Sequence, residues 1–300
     1  MNIYIPNIPN YAGYWIFQGY KNAWCELGYN TIYYSKPEDI NINDDYYIMI
    51  NDTWIGSYSA YLLAIEKSEK AFVQAQPNTF PLPWGKHPNF HSLATDDTIS
   101  ILNEMGHVFL WACGDDNVYH DKWKTVYTVP LAFDSVSYKP IKNDSIDYDI
   151  CYVGSWANNG FNEKRKIILE VFSKFMNSGL KCGFFVNKNL THEQELAILY
   201  NSKTCLNIHD AYQRILGFDT NERTFKALGL NGTLISDEVD QLTRLFPEVQ
   251  ASNNSNKLVE ACNALLDLST KDLRILKEVN IEHVLANHCY THRVKKLLQL

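Results

Sequence analysis

The sequence predicts an α/β protein with two Rossmann-like domains that face a central cleft, followed by a helical C-terminus. Through both halves of the 300-residue chain, short apolar segments alternate with longer segments of helical spacing. Residues 140–147 form a polar stretch without periodicity, which is typical of a linker. We therefore predict an N-terminal domain over residues 1–138 and a C-terminal domain over residues 147–300.

In the N-terminal half, the short apolar segments predict parallel strands, and the longer segments between them predict crossover helices. The predicted strands cover residues 3–5, 31–34, 46–50, 71–74, 108–111 and 126–129. The predicted helices cover residues 14–27, 57–68 and 95–105. Gly13 and Gly19 do not form the G-x-G-x-x-G pattern of a dinucleotide site, so no such site is predicted here.

The C-terminal half repeats the alternation, with predicted strands at residues 148–153, 182–186, 205–208 and 233–235. Helices are predicted at residues 163–176, 191–200 and 239–246, and three terminal ones at 258–268, 270–279 and 283–300. Thr191 and Gln194 have the spacing of a capping box. A further helix starts at Thr220 or Asn221, and glycines at positions 229 and 232 end it.

Composition and charge exclude several classes of protein. The net charge of -7 argues against a general nucleic-acid binder. No apolar run approaches the roughly 18 residues of a membrane-spanning helix, although peripheral contact with a membrane stays open. The N-terminus lacks the basic start and apolar core of a signal peptide, so we expect a cytoplasmic protein. Seven scattered cysteines without a Cys-x-x-Cys pair indicate buried thiols in a reducing compartment.

Several polar side chains follow predicted strands of the N-terminal half, where ligands of doubly wound sheets bind. Asp52 follows the third strand and Asp115 the fifth. Residues 76–92 contain four prolines together with His87 and His91, which predicts a long ordered loop. These four side chains are candidate catalytic bases of an acceptor site. The alternatives are a helix-capping role for Asp52 and a loop that only covers the sheet edge.

Two segments of the C-terminal half are suited to phosphate. The turn at residues 154–156 follows one strand, and Arg223 lies in the first turn of a helix that follows another. Backbone N–H groups, the helix dipole and a guanidinium all attract phosphate at such a helix start. Lys226, one turn further along, would add a second cation. The alternative is an ordinary strand–helix–strand crossover with a solvated arginine.

The run from Asn221 to Asp237 reads N-x-R-x-F-K-x-x-G-x-x-G-x-L-I-S-D. It resembles the N-x-R-x-[FY]-E-x-x-G-x-G-G-x-L-L-x-[DE] signature of GT-B glycosyltransferases of the CgeB-like, group 1 type. Residues 129–134, 149–154 and 288–293 are similar to other segments of that family. The resemblance covers roughly residues 125–300, and the N-terminal half matches in architecture only.

The resemblance implies a nucleoside-diphosphate sugar in the C-terminal domain and a glycan or glycoconjugate acceptor in the N-terminal domain, with no metal and no cofactor. From the net charge, we expect no nucleic-acid partner. Arg223 would neutralise the diphosphate leaving group. An inverting enzyme would take its base from the four acceptor-side candidates, whereas a retaining enzyme would need none. The donor-binding residues expected beside Arg223 are Gly154, Ser155, Trp156, Asn207, His209, Asn221, Thr224 and Lys226.

One departure from the family signature bears on donor binding. The family has Glu where Lys226 stands, and that Glu commonly holds the donor ribose, whereas a lysine cannot accept hydrogen bonds from hydroxyls. Either another acceptor, such as Glu222 or Asp237, takes this role, or the donor site is altered. Asn231 also replaces one glycine. These changes keep open a non-catalytic GT-B-fold protein that binds a nucleotide, a sugar or a partner. A two-lobed periplasmic sugar binder is disfavoured by the missing signal peptide, and a sugar-nucleotide epimerase lacks motif support.

Overall fold

The computed structural model describes residues 1–8, 11–51, 58–74, 95–112, 114, 119–156, 163–210, 213–214 and 219–299. The chain divides into two compact units. The first comprises Met1–Pro130 together with Tyr290–Leu300, and the second comprises Leu131–Cys289. Each unit is built on its own sheet, and every described strand pair is parallel. The predicted α/β class with two Rossmann-like halves is therefore confirmed.

The sheet of the first unit contains six strands in the order β2-β1-β3-β4-β5-β6. Because β1 pairs with both β2 and β3, the strand order reverses at β1, as in other doubly wound sheets. Side chains on both faces of the central strands are buried, as parallel sheets covered by helices require. The strands are β1 (Asn2–Pro6), β2 (Asn30–Tyr34), β3 (Tyr46–Asn51), β4 (Lys70–Gln74), β5 (Val108–Ala112) and β6 (Val126–Thr128).

Helices α1 (Tyr11–Glu26), α2 (Leu62–Lys67) and α3 (Asp96–Glu104) connect these strands. The helix predicted over residues 57–68 is a 3₁₀ turn at Tyr58–Tyr61 that continues into α2. A second 3₁₀ turn spans Pro37–Asp39. The predicted start of α3 at Thr95 is confirmed, because the Thr95 hydroxyl accepts a hydrogen bond from the Thr98 backbone N–H at 3.2 Å.

The last helix of the chain, α10 (Tyr290–Leu298), belongs to the first unit, although the predicted division placed it in the second domain. The Tyr290 ring packs against Gly19 of α1, where an added Cβ would lie 2.3 Å from the ring. The same ring contacts Tyr20, with 4.8 Å between ring centroids. Arg293 Nε donates to the Pro130 carbonyl at 2.8 Å. Aromatic packing against α1 and the hydrogen bond to Pro130 therefore hold α10 in the first unit.

The second unit has the same doubly wound arrangement in the order β11-β10-β9-β7-β8. Strand β7 lies between β8 and β9, so the strand order reverses there. The two-residue edge strand β11 was not predicted, because its sequence carries no strand periodicity. The strands are β7 (Ile150–Gly154), β8 (Cys182–Val186), β9 (Thr204–Asn207), β10 (Leu234–Ser236) and β11 (Gln250–Ala251).

The helices of the second unit are α4 (Glu163–Met176), α5 (His192–Asn201), α6 (Glu222–Leu230), α7 (Asp240–Leu245), α8 (Ser255–Leu266) and α9 (Thr270–Asn287). The capping box of α5 is confirmed by reciprocal hydrogen bonds between Thr191 and Gln194. The predicted break between residues 279 and 283 is wrong, since α9 continues to Asn287. Asn280, which lies inside α9, donates from its side chain to the Gly232 carbonyl at 2.7 Å, so this polar position is satisfied without ending the helix.

The two glycines predicted to end α6 have different roles. Gly229 lies inside the helix, where an added Cβ would approach the Phe133 ring to 2.5 Å. Gly232 follows the helix with φ of 80°, a left-handed conformation that favours glycine. Gly229 therefore allows close packing, and only Gly232 serves the chain reversal after the helix.

In the part of the chain that the structure describes, no helix combines the length and apolar character that crossing a membrane requires. The six described cysteines are free thiols, and four of them are buried, as the sequence predicted. Cys113 lies outside the described residues.

Candidate functional site

The carboxyl ends of β7 and β9 lie side by side at the point where the second sheet reverses its strand order. Gly154 ends β7, and Asn207 ends β9. Helix α6 carries Arg223 in its first turn. In open α/β sheets, ligands bind outside the carboxyl ends of the strands at such a reversal. The local fold therefore places the predicted phosphate-binding arginine at the expected edge of the sheet.

The Arg223 guanidinium reaches across both strand ends. Its Nε donates to the Val153 carbonyl at 2.7 Å, and its Nη1 donates to Asn207 Oδ1 at 2.9 Å. The guanidinium carbon lies 4.8 Å from the centroid of the Tyr152 ring, which is a cation–π contact. These three contacts fix the plane of the guanidinium.

Gly154 makes room for this arrangement. A Cβ at position 154 would lie 2.2 Å from Arg223 Nη2 and 2.7 Å from its guanidinium carbon. Any larger residue would therefore push the arginine from its place. Gly154 therefore leaves the space that the Arg223 guanidinium occupies, and its role at a donor site stays a prediction.

Arg223 differs from every other residue of α6. The other eight residues of this nine-residue helix are buried, whereas Arg223 keeps partial exposure. Its hydrogen-bond partners, a backbone carbonyl and an amide, are neutral. Among the described residues, no carboxylate pairs with it and no acceptor contacts Nη2. A fixed, partly exposed cation without a counter-charge at a helix start is suited to bind an anion.

A network of fully buried polar side chains lies behind Arg223. Asn207 Nδ2 donates to Thr224 Oγ1 at 3.1 Å and lies 3.2 Å from His209 Nε2. Thr220 Oγ1 lies 2.6 Å from Thr224 Oγ1 and 2.8 Å from His209 Nε2. His209 Nδ1 lies 2.7 Å from Asp237 Oδ1. None of these five side chains is more than 1% exposed.

Two carboxylates near this network have pKa values shifted in opposite directions. Burial alone would raise the pKa of Asp237, but His209, which hydrogen-bonds to it from its ring and its backbone N–H, and Arg214 at 3.5 Å hold that pKa below its usual value. Burial raises the pKa of Asp219 to about 6, against a hydrogen bond from Gln213 Nε2 at 2.8 Å. Oδ1 of Asp219 is buried and has no hydrogen-bond partner among the described residues.

Lys226 is not a second free cation of the site. Its ammonium lies 3.0 Å from Glu195 Oε1 and 3.5 Å from Glu222 Oε1, and 4.7 Å from the centroid of the Tyr138 ring. The Tyr138 hydroxyl donates to Glu222 Oε1. Burial alone would lower the pKa of Lys226, but the two carboxylates raise it above its usual value. Lys226 is therefore a charged member of a buried cluster.

This cluster also bears on the ribose contact. The sequence offered Glu222 or Asp237 in place of the family's glutamate at position 226. Glu222 is engaged by Tyr138 and Lys226, and Asp237 is engaged by His209. Neither carboxylate is presented to solvent, since Glu222 is 9% exposed and Asp237 is 1% exposed.

The structure separates the predicted donor-binding residues into two groups. Asn207, His209 and Thr224 are fully buried, so they support Arg223 from behind. The residues with exposure at the strand ends are Gly154, Ser155, Trp156, Asn221 and Arg223. Asn221 is the N-cap of α6, but its side chain makes no capping bond.

The four predicted catalytic bases, Asp52, His87, His91 and Asp115, lie outside the described residues. Within the described part, no three His, Cys, Asp or Glu side chains are grouped to hold a metal ion. Three contributors to the site were not predicted, namely the Val153 carbonyl, the Tyr152 ring and the Thr220 hydroxyl. Thr220 had been considered only as a helix cap, and no sequence signal indicates a specific carbonyl or ring.

Comparisons with known proteins bear on the family and the fold. The glycosyl transferase-like family model matches residues 152–299, which include the carboxyl end of β7 and the whole of β9 and α6. No curated protein matches the chain in sequence.

Solved structures match the chain over nearly its whole length. T4 phage β-glucosyltransferase in complex with its UDP-glucose substrate has a TM-score of 0.58 at 15% identity, covering 99% of this chain and 96% of that one. An E. coli trehalose-6-phosphate protein bound with UDP-2-fluoro glucose has a TM-score of 0.63 at 9% identity, covering 100% and 98%. AviGT4, a glycosyltransferase involved in avilamycin A biosynthesis, has a TM-score of 0.58 at 11% identity, covering 99% and 96%.

At such low identities these structures show the fold alone, which is GT-B. The resemblance predicted from the sequence is confirmed by the family match. The glycosyl transferase-like family model therefore matches just under half of the chain, and this match indicates a glycosyltransferase.

Proposed function

We propose that this glycosyltransferase transfers a sugar from a nucleoside-diphosphate sugar to a hydroxyl of a glycan or glycoconjugate, without a bound metal ion. The observation that carries the proposal is Arg223. It is the one partly exposed residue of an otherwise buried helix, and its partners at the strand ends are neutral. In this proposal, the diphosphate of the donor binds the free edge of its guanidinium.

The chemistry of sugar transfer gives this arginine its role. When the glycosidic bond to the donor breaks, negative charge develops on the departing diphosphate. A guanidinium that is already fixed by Val153 and Asn207 can stabilise that charge without reorganising. The start of α6 would add its backbone N–H groups and the favourable end of the helix dipole.

Donor binding is tested by a thermal-shift panel of UDP, GDP and ADP and their sugars. UDP is the first choice, because the T4 phage and E. coli structures of the same fold hold UDP-sugars. The best ligand should raise the melting temperature, and Arg223→Ala should remove that rise. Arg274→Ala is the matched control, since Arg274 is exposed on α9 and 3.9 Å from Glu278. No shift with any nucleotide would refute the proposal.

Turnover with the best donor then separates binding from catalysis. Arg223→Ala should lower kcat/KM by about 10²- to 10³-fold, the usual loss when a group that stabilises developing charge is removed. Arg223→Lys should recover only part of the lost kcat/KM, because lysine keeps the positive charge but lacks the planar, forked set of donors of a guanidinium. Equal turnover of Arg223→Ala and Arg274→Ala would exclude Arg223 from the reaction.

The proposed independence of metal is tested separately. The T4 phage enzyme has been crystallised in complex with UDP and Mn²⁺, so the fold alone does not decide the question. We expect EDTA to leave turnover unchanged and added Mn²⁺ to raise it by less than about twofold. Loss of turnover in EDTA with recovery in Mn²⁺ would show that a metal takes part.

A second candidate function is binding without catalysis, and Lys226 favours it. A lysine stands where the family has a ribose-binding glutamate, and its ammonium is neutralised inside the unit by Glu195 and Glu222. A protein of this kind would bind a nucleoside diphosphate through Arg223 but would neither transfer nor slowly hydrolyse the donor sugar. Detection of free sugar from the bound donor would favour the enzyme.

A further inference from the structure

In the polar network behind Arg223, the arginine determines which groups donate hydrogen bonds and which accept them. A guanidinium has only donors, so Arg223 Nη1 must face an oxygen, and this fixes Asn207 with Oδ1 toward the arginine. The Asn207 amide nitrogen then points away, toward Thr224 Oγ1 and His209 Nε2. The orientation of one buried amide is therefore set by a charge at the surface.

The same orientation decides the tautomer of His209. Because Asn207 Nδ2, a donor, lies 3.2 Å from His209 Nε2, a proton on Nε2 would bring two donors together. Nε2 is therefore an acceptor, and the ring proton lies on Nδ1, which donates to Asp237 Oδ1 at 2.7 Å. Asp237 also accepts the backbone N–H of His209 at 3.0 Å.

The two threonines complete the chain. An acceptor at His209 Nε2 requires the Thr220 hydroxyl, 2.8 Å away, to donate to it. Thr220 Oγ1 then accepts from the Thr224 hydroxyl at 2.6 Å, and Thr224 Oγ1 accepts from Asn207 at 3.1 Å. Each group donates toward Asp237 and accepts from the side of Arg223, and no hydroxyl in this chain is left without a partner.

We propose that this directional hydrogen-bond chain holds the Arg223 guanidinium in the orientation that receives the diphosphate. Thr220, Thr224 and His209 are positioning residues that act through Asn207 and do not touch the donor. The proposal rests on the proposed function for its consequence, which is donor affinity, but the chain itself is a property of the free protein. Buried, fully satisfied networks restrict side chains to one geometry, which is how such a chain would act.

Thr220→Val tests the middle of the chain with a side chain of almost the same shape. It removes the donor to His209 Nε2, and we expect UDP, or the best nucleotide of the panel, to bind about five- to tenfold more weakly by calorimetry. Thr220→Ser keeps the hydroxyl and should restore affinity to within about twofold of the wild type.

Thr204→Val is the matched control. Thr204 is a fully buried threonine at the start of β9, and its hydroxyl has no partner among the described residues. This variant should bind the nucleotide like the wild type. If Thr220→Val and Thr204→Val bind alike, while Arg223→Ala abolishes binding, the positioning chain is refuted and the proposed function survives.

An NMR measurement tests the direction of the hydrogen-bond chain in the absence of nucleotide. In the ¹⁵N-labelled protein, with the His209 signals assigned by comparison with His209→Gln, we expect a proton on Nδ1 and none on Nε2. A protonated Nε2 would overturn the direction of the chain, even if the nucleotide binds. If no nucleotide binds the wild type, the proposed function is refuted, and the position of the His209 ring proton alone shows whether the hydrogen-bond chain has the proposed direction.

Discussion

Five strands of the first sheet, β2-β1-β3-β4-β5, have the same order as the five strands of the second, β8-β7-β9-β10-β11. The side chains at the carboxyl ends of these strands differ between the two units. In the first unit, the ends of β3 and β4 are joined by a neutral contact, with Asn51 Nδ2 donating to Gln74 Oε1 at 2.7 Å. In the second unit, the corresponding edge holds Arg223, supported by a buried network. The topology places ligands at the carboxyl edge of either sheet, and the described side chains give the second edge a fixed cation.

The interiors differ in the same way. The first unit uses buried tyrosines whose hydroxyls donate to backbone carbonyls, such as Tyr34 to Met49 and Tyr46 to Ala64. Among the described residues, the second unit buries five charged side chains, including Lys226 and Asp237, whereas the first unit buries one, Arg293. The buried tyrosine hydroxyls of the first unit stabilise its fold only. A buried charge needs an opposite charge or hydrogen bonds, and it therefore restricts the positions of the side chains around it. Four predictions test this contrast.

The largest expected effect comes from restoring the family's glutamate with Lys226→Glu. It would place a third carboxylate beside Glu195 and Glu222, and we expect a loss of about 3–5 kcal/mol in the free energy of unfolding. Lys142→Glu is the control, since Lys142 is exposed and its pair with Asp144 is 3.5 Å long. Urea unfolding measures both.

Adding Glu195→Lys to Lys226→Glu reverses the pair and should recover part of the lost stability. If Lys226→Glu were instead as stable as the wild type and bound the nucleotide more tightly, position 226 would lie at the donor, and the buried-cluster interpretation would be wrong.

The second effect depends on pH. Burial raises the pKa of Asp219 to about 6, above the value of about 3.9 for an unfolded chain. The folded protein therefore binds this proton more tightly, and stability is lost as the pH rises from about 4 to about 6. Asp219→Asn removes the loss and should stabilise the protein at pH 7 by on the order of 2–3 kcal/mol.

Urea unfolding at pH 4.5 and pH 7 checks this sign, with the exposed Asp144→Asn as control. Asp237 acts in the opposite direction, because its lowered pKa adds stability that is lost only as the pH falls below about 4. If Asp219→Asn raised the free energy of unfolding equally at both pH values, the loss of stability between pH 4 and pH 6 would not come from Asp219.

The third effect concerns the glycine beside the arginine. Gly154→Ala places a methyl group on Arg223 Nη2, and we expect about tenfold weaker nucleotide binding, with a smaller change in stability. Gly106→Ala of the first unit is the control, because nothing lies within 4 Å of its added Cβ. Unchanged affinity of Gly154→Ala would show that the observed position of Arg223 is not needed for binding.

The smallest effect is expected in the first unit. Tyr34→Phe removes the hydroxyl that donates to Met49 at 2.7 Å and should cost about 1 kcal/mol in stability. Nucleotide affinity should stay unchanged, as in Tyr14→Phe, where the ring is 40% exposed. A fall in affinity would show that the polar groups of the first unit also serve the donor site.

The sequence by itself determined most strands and helices, the two-half division and the position of Arg223 at a helix start. Those features follow from periodicity, caps and turn residues, which act over a few positions of the chain. It did not determine the single long helix α9, because an isolated polar position such as Asn280 breaks the pattern unless a distant carbonyl satisfies it. Nor did it place α10, whose partners in α1 are distant in the chain.

Only the tertiary structure decided what the polar residues of the signature do. Lys226 was expected at the phosphate, but Glu195, 31 positions away, neutralises it inside the unit. His209 and Thr224 were expected at the donor, but Asp237 and Thr220 hold them in the interior behind Arg223. The physical reason is that the pairing of charges and hydrogen bonds depends on distance in space, which the order of residues along the chain does not contain.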